Sequence, residues 1–162
     1  MKKNYSCFSA FFLAMLLLLP GLASARSVKS IQVPTQQGLI ELANFKGQVI
    51  YLDFWASWCT PCKKSFPWLN QMQSKYQANG LKIIAVNLDE DQELARRFLA
   101  KHPAKFEIGY DPDGSIASRL QVQGMPSSFL INRDGEIVSS HVGFLEKDTV
   151  SMEQKIVDVL SQ

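Results

Sequence analysis

The stretch that most constrains the fold runs from Val49 to Lys64. An unbroken apolar segment, Val49 to Trp55, is followed within a few residues by Cys59-Thr60-Pro61-Cys62 and then by a helix-forming sequence. Such a run suits a strand buried on both faces. The arrangement predicts a strand, a short loop and a helix that carries Cys-x-x-Cys at its start. Cys59 then sits where unpaired N–H groups and the positive end of the helix dipole stabilise a thiolate. Cys62, three residues on, shares its side of the helix and is the more covered of the two. Pro61 suits a first helical turn, where its missing N–H would have had no partner. These features predict a reactive dithiol or disulfide.

The 162-residue chain is long enough for one domain with a proper core. Its first 25 residues are not expected to belong to that core. Lys2 and Lys3 precede the twelve-residue apolar run Phe8 to Leu19, then Pro20-Gly21 and Ala23-Ser24-Ala25, the pattern of a cleaved secretory leader. The run is short of the roughly 20 residues a membrane-spanning helix needs, so cleavage near Ala25 is expected over an uncleaved anchor. The domain is then 26–162, exported or periplasmic. Without Lys2 and Lys3, the 17 basic residues fall to the number of acidic ones, 15, and no charge excess favours nucleic acid.

Of three cysteines, Cys7 leaves with the leader. The remaining pair is too close in sequence to close a useful loop, so it has little value as a staple in an oxidising compartment. Zinc needs four ligands, and His102 and His141 are poorly placed to complete a set. Neither a metal nor another cofactor is expected, and the histidines receive no catalytic role.

Around this centre, short strands are predicted at Ser30 to Val33 and Leu39 to Leu42, and a turn at Asn44 to Gln48. Helical spacing of Phe66, Leu69, Met72 and Tyr76 predicts a helix over Pro61 to Ala78, with Gln73 on an outer face. A buried strand follows at Leu81 to Leu88. Asp89 or Asp91 is expected to cap a helix over Gln92 to Lys101 with Leu94, Phe98 and Leu99 inward. The remaining expectations are a strand over Phe106 to Tyr110, a turn at Asp111 to Gly114 and a short helix over Ser115 to Leu120. A hairpin, Ser127 to Ile131 with Glu136 to Val142, and a helix over Lys147 to Leu160 complete the chain. The result is one α/β domain.

Two motifs and one inserted element carry a resemblance. The block Asp53-Phe54-Trp55-Ala56-Ser57-Trp58-Cys59-Thr60-Pro61-Cys62, the later Val122-Gln123-Gly124-Met125-Pro126-Ser127-Ser128 and the extra helical segment Glu90 to Lys101 resemble the thioredoxin superfamily. Within it, the chain is similar to the exported TlpA/ResA-like thiol–disulfide oxidoreductases. The resemblance implies a thioredoxin-like mixed sheet flanked by helices, with a helical insertion between core strands. It also implies a cis peptide between Met125 and Pro126, in a loop whose backbone pairs with an extended substrate, with Trp58 in contact as well. Cys59 is the implied nucleophile and Cys62 the resolving thiol, with Thr60 and Pro61 tuning the potential. Asp53 lies in an apolar strand, so desolvation should raise its pKa and fit it to take the Cys62 proton. Ser65 and Ser127 stand where some relatives carry acids, which favours a broad role over dedicated cytochrome maturation. Trp55, Trp58 and Phe66 are expected to be part core and part rim, and Trp68 packing or surface.

The implied partners are protein disulfide substrates and a membrane thiol donor that recharges the dithiol. A peroxiredoxin-like peroxide reductase, a disulfide oxidase or isomerase of the same fold, and a binding module without catalysis are the other functions compatible with the residues.

Overall fold

The computed structural model describes Val28 and residues 30–162, so the leader and its cleavage point lie outside the described residues. Seven strands form one sheet: β1 (Gln32–Thr35), β2 (Gly38–Glu41), β3 (Val49–Trp55), β4 (Leu81–Asn87), β5 (Glu107–Tyr110), β6 (Ser127–Ile131) and β7 (Ile137–Val142). Their spatial order is β2-β1-β5-β4-β3-β6-β7, which puts β3 inside the sheet between β4 and β6. β3 runs parallel to β4 and antiparallel to β6, so the sheet is mixed, as expected. The helices are α1 (Thr60–Tyr76), α2 (Gln92–Lys101), α3 (Ser115–Arg119) and α4 (Thr149–Leu160). α2 is the expected insertion, between β4 and β5.

β3 explains its own apolar sequence. Successive side chains of a strand point to opposite faces. Val49, Tyr51 and Trp55 enter one hydrophobic cluster with α1, α2, α4 and both cysteines. Ile50, Leu52 and Phe54 enter a second cluster with β1, α3 and the N-terminal Val28. All seven β3 residues are buried because each face has its own cover.

Several details differ from the sequence expectation, each for a packing reason. Gln73 is buried, because its amide lies against β4, accepting from the Ile83 N–H at 2.8 Å and donating to the Leu81 carbonyl at 3.2 Å. In α2 the buried stripe is Ala95 and Phe98, flanked by Leu99 and by the His102 ring stacked on Phe98, while Leu94 falls off that stripe and is 41% exposed. Trp55 and Phe66 are wholly core, in an aromatic group with Phe98 and Phe106. Trp68 takes the packing placement of the two expected for it, buried edge-on to Tyr51 and against Phe144. Residues Glu146–Asp148 form a 3-10 turn before α4 rather than its first turn.

Candidate active site

The loop from Ala56 to Cys59 leaves the carboxyl end of β3 and is fixed from both sides. The Cys59 N–H donates to the Ala56 carbonyl at 3.1 Å, and the Leu88 N–H donates to the Trp55 carbonyl at 2.9 Å. Asp89 does not cap α2, a role that Asp91 fills through the Glu93 N–H. Instead, its buried carboxylate accepts from the Ser57 N–H and hydroxyl at 2.9 and 3.0 Å, and from the Asn87 amide at 2.8 Å. Asp89 therefore ties the cysteine loop to the end of β4, a job its sequence position did not advertise. Only pairing of β3 with β4 brings residue 89 beside residue 57.

Cys59 occupies the N-cap of α1, and its sulfur accepts the Cys62 N–H at 3.2 Å. Cys59 and Cys62 form a disulfide with Cα atoms 5.3 Å apart. Pro61 lies in the first turn of α1, and Thr60 and Pro61 are exposed. Cys59 retains 4% of its surface and Cys62 none, so Cys59 is the sulfur a partner reaches first. A thiolate on Cys59 receives the N–H already pointed at it together with the dipole of a helix of 17 residues.

Asp53 is 3% exposed, on the same sheet face as the cysteines, and its Oδ2 has no hydrogen-bond partner among the described residues. Burial alone raises its pKa well above the ordinary carboxylate value. Two residues away on the same face, the Tyr51 hydroxyl donates to Ser128 Oγ at 2.8 Å. Burial, and then the charge of Asp53, push that phenol far up, so it remains a donor at any working pH.

The Met125–Pro126 peptide is cis. Pro126 is buried, and its carbonyl accepts the Gly143 N–H at 2.7 Å, tying the loop to the end of β7. Met125 packs on the cluster that contains both cysteines. Trp58 is 68% exposed beside Cys59, a large apolar surface with no cover. Cys59, Cys62 and Met125 thus share one apolar cluster, Asp53 lies on the sheet face this cluster covers, buried Pro126 follows Met125 across the cis bond, and Trp58, Thr60 and Pro61 are exposed beside the cysteines. Ser128 and Asp89 are the neighbours that sequence reasoning passed over.

A helix-capping disulfide and a cis proline just before β6, on a mixed sheet with these connections, define a thioredoxin-like protein. The chain belongs to the Redoxin family, whose model matches residues 23–160. It is 37% identical over 109 residues to the thiol-disulfide oxidoreductase ResA of Bacillus thuringiensis subsp. konkukian (strain 97-27), a match covering 67% of this chain and 63% of that protein. The match thus spans less than two thirds of the curated relative. Among solved structures, a Chlorobium tepidum protein described as a DsbE thiol:disulfide interchange protein superposes with a TM-score of 0.81 at 46% identity, over 84% of this chain and 96% of its own. StoA from Bacillus subtilis superposes with a TM-score of 0.66 at 28% identity, over 80% of this chain and 98% of its own.

Proposed function

We propose that this protein is an exported thiol–disulfide oxidoreductase that reduces disulfides in other exported proteins. One observation carries the reading: a cysteine sulfur at a helix N-cap, accepting a backbone N–H, with a fully covered second cysteine three residues along. The thiol–disulfide exchange for which its relatives are named points the same way.

In the reaction, the Cys59 thiolate attacks one sulfur of a substrate disulfide, and the other substrate sulfur leaves as a thiolate. The product is a mixed disulfide between Cys59 and the substrate. Asp53, with its raised pKa, takes the Cys62 proton. The Cys62 thiolate then attacks Cys59 Sγ, and the second substrate thiolate departs. The substrate gains two electrons, and Cys59–Cys62 is oxidised. Electrons pass between sulfurs throughout, so no cofactor or metal is required. Met125 and Pro126 offer backbone for β-like pairing with an extended substrate, Trp58 supplies apolar contact, and Thr60-Pro61 tunes the potential. In an oxidising compartment the spent disulfide must be recharged, which calls for a membrane protein that donates thiols. Export follows from the leader at residues 1–25. Among the described residues no helix is long and apolar enough to cross a membrane.

The test is trapping. Cys62→Ser should accumulate a covalent complex with substrate on non-reducing gels, and Cys59→Ser should not. Equal trapping by both would overturn the assignment. Insulin reduction measured beside peroxide consumption separates the reading from a peroxide reductase, and a measured reduction potential separates reductase from oxidase.

A further inference from the structure

Of the five methionines in the chain, Met72, Met125 and Met152 lie beyond the leader. Met72 has no exposed surface and Met152 keeps 6%. Met125 is half-buried, which makes it the most accessible of the three. It packs on the apolar cluster that holds both cysteines. The loop around it is tied on either side. The Ser127 hydroxyl donates to the Gly124 carbonyl at 2.6 Å, and the Gly143 N–H donates to the Pro126 carbonyl at 2.7 Å. Neither bond uses Met125, whose own N–H and carbonyl have no backbone partner among the described residues. A strand laid along this loop by a substrate would meet Met125 first.

The thioether brings its own chemistry to this place. Oxidation to a sulfoxide turns a flexible apolar side chain into a polar, chiral one. In the disulfide form neither cysteine offers a thiolate to compete for an oxidant. The spent form of the site therefore leaves Met125 as its accessible reduced sulfur. A sulfoxide oxygen there would lie against an apolar cluster, where a polar group without a hydrogen bond is costly to cover.

We propose that Met125 is an oxidation site, at which hydrogen peroxide converts the thioether to a sulfoxide and weakens substrate docking. The proposal rests on the reading that the Met125 backbone meets the substrate. The Met125 sulfur attacks one peroxide oxygen, and the O–O bond breaks. That oxygen stays on sulfur, and the other leaves as water with both peroxide hydrogens. Sulfur loses two electrons and the peroxide gains them. Cys59 and Cys62 take no part and remain joined. A dithiol then recharges the disulfide but leaves the sulfoxide in place, so recharging restores the cysteines and not the docking surface. Reversal takes sulfoxide reductases, one for each epimer. The modified residue thus records peroxide met while the site stood spent.

The test treats the protein in its disulfide form with hydrogen peroxide, removes the peroxide with catalase and recharges with dithiothreitol before insulin reduction is measured. Peptide mass mapping should place the first added oxygen on Met125, ahead of Met152 and Met72. The kcat/KM for insulin should fall roughly tenfold, within the range expected for covering a polar group that lacks a partner. Sulfoxide reductases for both epimers should restore it. Met125→Leu, compared before and after treatment, should lose nothing to peroxide. A first oxygen on Met152 or Met72, a Met125 sulfoxide without loss, or an equal loss in treated Met125→Leu would each overturn the proposal. Should Met125→Leu fail to fold, the mapping and the reductase rescue of wild type decide. An untreated wild type that does not reduce insulin would overturn the proposed function itself, whereas an active wild type whose Met125 resists peroxide would overturn the oxidation site only.

Discussion

Asp53 is a carboxyl group held where ionisation is unfavourable, and that has a consequence for stability apart from any catalytic role. The folded protein keeps Asp53 protonated to higher pH than the unfolded chain does. Linkage then fixes the sign: its contribution is fully present below the ordinary carboxyl value of 3.8 and is lost as pH rises through the raised folded value. Asp53→Asn, which cannot ionise, should be more stable than wild type at pH 8 by on the order of 1 kcal/mol or more, the worth of one pKa unit. The advantage should shrink toward acid. Urea unfolding of both proteins at acid and alkaline pH measures it, and a gap independent of pH would show that Asp53 ionises as readily folded as unfolded. The acid was visible in the sequence as a charge inside an apolar run. Its company was not, because Ser128 lies 75 positions away and meets Asp53 only through the pairing of β3 with β6.

At the scale of elements, β3 and α1 were legible because their patterns repeat locally. The bounds Val49–Trp55 match the apolar run, and α1 begins one residue before the predicted start. Polar residues were harder to place. Gln73 looks like an outer-face residue until β4 leaves a backbone N–H and carbonyl that need it. Asp89 looks like a helix cap until the Ser57 loop arrives beside it. Gln73 was misplaced, and the choice between Asp89 and Asp91 as the cap left open, for one reason: periodicity reports which way a side chain faces, not which backbone group waits there. Asp89→Ala should free the cysteine loop and leave buried donors unpaired, at roughly 2–3 kcal/mol of stability given that each orphan costs about 1–3. Thermal unfolding reads that loss. A melting temperature equal to wild type would show that water replaces the carboxylate without penalty.

Across the whole molecule, Arg133 is a long-range tie. From the β6–β7 turn its guanidinium donates to the Gly47 carbonyl at 2.6 Å before β3, to the Leu160 carbonyl at 2.9 Å at the end of α4 and, at 3.5 Å, to the Asn79 carbonyl after α1. A fork of fixed donors suits this position better than a single ammonium. Arg133→Met should destabilise the fold by roughly 1–3 kcal/mol and speed amide hydrogen exchange at the end of α4. Exchange unchanged there would show that the tie carries no weight. The sequence by itself determined what local pattern can encode: the elements, the two-sided burial of β3 and the placing of Cys59 where a helix starts. Only the tertiary structure decided that Asp89 holds the cysteine loop, that Ser128 pairs with Asp53 across the sheet, and that Arg133 joins three segments. Strand order and register bring together residues far apart in the chain, and no periodicity within one segment specifies its neighbours.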